Sequence, residues 1–131
     1  MSSPPPLAVV VPSAGASPHL PGLLAPLGEA ADVFVVSEAP EGPGNRVVTP
    51  REAGFAERAN LGLAAARDAG HPKAVLCNDD LVFLPGALRG LADALDEPSP
   101  PALRVGVAGP LVLEWDGKTV QQAGISVSLF T

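Results

Sequence analysis

Four short apolar runs set the rhythm of this 131-residue chain. They are Leu7-Ala8-Val9-Val10-Val11, closed by Pro12; Val33-Phe34-Val35-Val36; Ala74-Val75-Leu76-Cys77; and Val105-Gly106-Val107-Ala108-Gly109. Continuous runs of this length, rich in β-branched residues, predict strands buried on both faces. Arg46 to Thr49 adds a shorter strand. Between the runs the period changes to that of a helix. Leu20 to Leu27 predicts a short helix, with Pro21 tolerated in its first turn and Pro26 near its end. Arg51 to Ala69 predicts a long one, with Phe55, Ala59, Leu63 and Ala66 at helical spacing and Gly70 as the stop. Its arginines Arg51, Arg58 and Arg67 are expected on a solvated face opposite Phe55 and Leu63. Pro85 to Leu95 predicts a third helix, with Leu88, Leu91 and Leu95 on one side. Glu38 to Asn45 and Pro98 to Pro101 are loops by their proline and glycine content. Asp116-Gly117, between Trp115 and Lys118, predicts a hairpin turn, and Ile125 to Phe130 alternates as a final strand.

Strand and helix alternate through most of the chain. This predicts an α/β fold of three α/β/α layers, a Rossmann-like, mostly parallel sheet with helices on both faces. Ligands of such folds bind at the carboxyl ends of the strands. At this length a single domain, 1–131, is expected, with residues 1–6 as a flexible lead-in.

Composition narrows the function classes. Hydrophobic residues make up 47% and charged residues 17%, the balance of a packed globular chain. The net charge is −6 and no stretch clusters Lys or Arg, which argues against nucleic acid as a partner. The apolar run near the start is too short to span a membrane and lacks a basic lead-in, and the single Cys77 forms no internal disulfide, so a cytoplasmic location is expected. Cys77 reads as a small buried hydrophobe, and His19 and His71, beside prolines, as surface residues. Trp115 reads as packing on a sheet edge or, less simply, stacking on a sugar.

Candidate chemistry concentrates at Asn78-Asp79-Asp80, where the third apolar run ends. Adjacent carboxylates at the end of a parallel strand suit Mg²⁺ or Mn²⁺, which take oxygen ligands and often share them with substrate phosphates. A solvated turn is the plainer alternative for the tripeptide taken alone.

Its neighbours add to that reading. GFAERANLGLAAARDAG (Gly54 to Gly70), VLCNDDLVFLPGAL (Val75 to Leu88) and VAGPLVLEWDGKTVQQAG (Val107 to Gly124) occur in that order. Together with VVVPS near the start, they resemble the family 2 glycosyltransferases, nucleotide-sugar enzymes of the GT-A fold. The resemblance implies a nucleotide-diphosphate sugar as partner, with Asp80 on the metal and Asn78 and Asp79 beside it. It implies Pro12 and Ser13 beneath the nucleotide, and Arg58 and Asn60 near the donor. Where the family carries an Asp after its second strand to contact the base, this chain has Ser37-Glu38, with Glu38 the acid nearest that place. The family's catalytic base and acceptor-binding half lie beyond the part resembled, and the only acids after residue 97 are Glu114 and Asp116. Two function classes are therefore open: a donor-binding glycosyltransferase domain with no base of its own identified, or a non-catalytic nucleotide-sugar-binding or interaction module. An open final strand at Ile125 to Phe130 would invite a homodimer or a partner chain.

Overall fold

A computed structural model of the chain describes residues 6–14, 17–96 and 106–124. The chain divides after Leu88 into two compact units. In the first, β1 (Leu7–Pro12), β2 (Ala31–Ser37), β3 (Asn45–Val48) and β4 (Ala74–Leu76) form one parallel sheet in the order β3-β2-β1-β4. The α/β class with a parallel sheet expected from the apolar runs is therefore present.

Alternate residues of the central strands feed two separate cores. Val9, Val11 and Val35 pack with Leu20, Leu23, Leu27 and Leu88 on one face. Ala8, Val10, Phe34 and Val36 pack with Ala66 on the other. The first face is covered by α1 (Leu20–Leu24) and the turns after it, the second by α2 (Phe55–Asp68). The predicted Leu20–Leu27 helix is split: Pro26 follows one short helix, and a 3₁₀ turn at Gly28–Ala30 leads into β2. Leu27 still reaches the core, so the apolar spacing survives the break.

The connection from β2 to β3 holds only residues 38–44 and carries no helix. So short a return lets β3 climb no further than Phe34, and the two strands pair only from Phe34↔Asn45 to Ser37↔Val48. Gly44 makes this possible. Its φ is +81°, and a Cβ there would sit 3.2 Å from the Val33 carbonyl oxygen and from Val35 Cγ2.

Helix α2 departs from the expected orientation. Its buried residues are Arg58, Ala59, Gly62 and Ala66, whereas Phe55 is 54% exposed. The side against the sheet is built from small residues, which lets the helix approach closely. A Cβ on Gly62 would overlap Val10 Cγ1 and lie 2.7 Å from Val36 Cγ2. Arg51 lies before the helix, and Arg58 points inward rather than onto a solvated face.

In the second unit β5 (Val112–Leu113) and β6 (Val120–Gln122) form the antiparallel hairpin that Asp116-Gly117 predicted. Asp116 Oδ1 accepts from the Lys118 and Thr119 amides, each at 2.8 Å, and Oδ2 accepts from Thr119 Oγ1 at 2.6 Å. These bonds, the Thr119 hydroxyl first, hold the Asp116 carboxyl below its usual range. Trp115 is 77% exposed and so does not pack a sheet edge as expected. The third helix, α3, runs Ala87–Ala94. Residues 106–109 form no strand. Val105, the lead-in at 1–5 and the expected strand Ile125–Phe130, with the pairing proposed for it, lie outside the described residues. Among those described, no helix is long and apolar enough to cross a membrane.

Gly62→Ala tests the close approach of α2. Alanine gains about 1 kcal/mol of helix propensity, but overpacking costs about 1–3 kcal/mol. A net loss of stability in urea unfolding is expected; a gain would mean that the sheet yields at Val10 and Val36.

Candidate functional site

The strand order reverses beside β1: the chain moves outward to β2 and β3, then crosses back to place β4 on the opposite side. In parallel sheets such a reversal opens a crevice at the carboxyl ends of the two strands that flank it. Here those ends are Pro12-Ser13 after β1 and Cys77-Asn78-Asp79-Asp80 after β4.

The two ends touch. Ser13 Oγ donates to Asp79 Oδ2 at 2.9 Å. Ser13 is 3% exposed, and its amide donates to the Val36 carbonyl at 2.9 Å, which extends the β1–β2 ladder by one step. The Cys77 amide likewise donates to the Val10 carbonyl at 3.1 Å, so β4 remains tied to β1 up to the residue before Asn78. Backbone pairing on both sides thus aims the serine and the aspartate at each other.

Arg58 reaches the same place from α2. Its Nη1 donates to the Ser13 carbonyl, Nε to the Ala53 carbonyl at 3.0 Å, and Nη2 to the Arg51 carbonyl and to Glu38 Oε2, both at 3.2 Å. The arginine is 7% exposed, so its charge relies on Glu38 and on these carbonyls for the solvation that water would otherwise give. Behind Glu38, Ser37 Oγ accepts from the Ala39 amide at 3.2 Å and closes the turn after β2.

The structure therefore gathers Ser13, Glu38, Arg58 and Asp79 into one hydrogen-bonded chain at the carboxyl ends of β1, β2 and β4, with Pro12 buried beneath it. Asp80 and Asn78 lie beside Asp79 and are exposed. Asn60 is exposed on α2, two residues past Arg58, and no hydrogen bond among the described residues joins it to the cluster. No group of three or more His, Cys, Asp or Glu suited to hold a metal occurs among the described residues. What the site offers a cation is two adjacent carboxylates and an amide, an open set rather than a closed cage.

Set against known proteins, the chain matches no family model, no curated protein and no solved structure.

One cluster was not foreseen in the sequence. His71 Nε2 lies 2.7 Å from Asp32 Oδ2, Asn45 Nδ2 donates to Asp32 Oδ1 at 2.7 Å, and the imidazole stands edge-on to Phe34 at 6.0 Å. His71 is thus partly buried, not the surface histidine expected. The group ties together the amino ends of β2, β3 and β4, away from the crevice. Asp32 lies 39 residues from His71, and no short motif links them.

Cys77 follows the last residue of β4, and burial first, then the nearby Asp79 charge, push its thiol up to about 12. Iodoacetamide at pH 8 is expected to label it at least ~100-fold more slowly in the native protein than in urea. Asp79→Asn should speed the native reaction. Labelling at the unfolded rate would show the thiol to be open and ionised.

Proposed function

We propose that the crevice between β1 and β4 binds the diphosphate of a nucleotide sugar together with Mg²⁺ or Mn²⁺, as the donor site of a glycosyltransferase domain similar to family 2. The observation that carries this reading is the Ser13–Asp79 hydrogen bond, which supports a built site at the reversal of strand order.

Charge supports the metal. Arg58 is turned to protein acceptors, so the crevice edge presents Asp79 and Asp80, which repel a bare diphosphate. A divalent cation reverses that sign. Mg²⁺ is commonly held by one or two carboxylates with phosphates and water completing its shell, and Asp79 and Asp80 fit that pattern. When bound, the cation would neutralise charge on the leaving diphosphate. Ser13 would orient Asp79 through its hydroxyl, leaving the exposed Asp80 free to turn toward the ion. The first turn of α2 adds amide donors, since its N-cap Gly54 supplies no side-chain acceptor.

The second reading, a nucleotide-binding module without transferase activity, is favoured by Glu38. The acid nearest the expected base contact pairs with Arg58, as a structural ion pair would.

Calorimetric titrations with UDP, GDP and dTDP, each with and without Mn²⁺, test the proposal. One nucleotide is expected to bind, and only with metal. Asp80→Ala should weaken that binding at least ~10-fold and shift stability by no more than ~0.5 kcal/mol, because Asp80 is exposed. No binding by any of the three to the folded protein would remove the proposal.

A further inference from the structure

We infer that Arg58 is a positioning residue: it sets the spacing of the loops that shape the crevice and contacts no ligand itself. The inference rests on the nucleotide reading above only for its effect on affinity; the loop contacts stand apart from it.

Arginine is always charged and presents five donors in a rigid fork. Here four bonds run to acceptors on three separate segments: Ser13 after β1, Glu38 after β2, and Arg51 and Ala53 on the path from β3 into α2. The guanidinium is therefore the common point that fixes their separation. Its burial leaves little surface for a phosphate to reach. Its influence passes one step further, because the residue whose carbonyl it holds is the residue whose hydroxyl orients Asp79. Arg58 acts on the acidic edge through Ser13.

Lysine at this position would keep the charge but not the fork, with one nitrogen for acceptors that now take three. The amides of Ser13, Ala39 and Ala53 are hydrogen-bonded in the native structure and so have protection to lose. Hydrogen exchange on Arg58→Lys is expected to speed at these amides by at least ~10-fold, while Val10, Val35 and Val36 in the sheet exchange as in the wild type. Affinity for the Mn²⁺ complex of whichever of UDP, GDP or dTDP binds should fall in parallel, with Asp79 and Asp80 unchanged. Arg58→Gln, which keeps part of the donor set without the charge, should show the same local pattern.

Wild-type exchange in Arg58→Lys would overturn the inference, as would faster exchange spread evenly over the sheet. So would local loosening with affinity unchanged. Local loosening in a protein whose wild type binds none of the three nucleotides would refute the nucleotide reading and uphold the loop-setting role of Arg58.

Discussion

Everything in the larger unit hangs on β1. Ala8, Val9, Val10 and Val11 are each 0% exposed, and the strand is paired on both edges, to β2 over its full length and to β4 over three residues. Burying a valine side chain contributes about 1.5–3 kcal/mol, and this strand supplies side chains to both cores. Because β1 is fixed on four sides, the residues that follow it are fixed too. Ser13 leaves the sheet with its amide still in the ladder. The Ser13–Asp79 contact is therefore a consequence of packing: the strand most constrained by the core delivers the serine that meets Asp79.

The same constraint accounts for the close approach of α2. Gly62 lies over Val10 and Val36, and Ala59 and Ala66 flank it along the buried side. With little bulk between helix and sheet, the side chain one turn earlier, Arg58, is carried under the loops at the strand ends. A larger residue at 62 would lift the helix and, with it, the guanidinium. Packing in the core and order in the loops at the strand ends are thus coupled through one helix face.

The alternation of apolar runs with helical periods was enough to give the α/β class, the four strands of the parallel sheet and the Asp-Gly hairpin, because these follow from local burial and turn chemistry. Where the chain departs, longer-range packing decides. Arg58 reads as solvent-facing by its charge, yet it is buried because four acceptors from distant segments converge on it. Phe55 reads as core, yet it turns outward because a small-residue face fits the sheet more closely. The run at residues 106–109 has strand composition and no strand partner among the described residues. At the candidate site, Ser13 and Asp79 were each legible as residue types at strand ends, but their contact across 66 positions was not. The pairing of His71 with Asp32 was hidden for the same reason.

The proposed donor site requires the acidic edge beside β4 to hold a divalent cation together with a nucleotide diphosphate. Paramagnetic broadening of amide signals by substoichiometric Mn²⁺, in the presence of a nucleoside diphosphate, tests it most directly. The account predicts selective loss of the Ser13, Asn78, Asp79 and Asp80 signals, with those of Asp32 and Asn45 at the opposite end of the sheet left sharp. Broadening centred on Asp32, or on none of these residues, would contradict it.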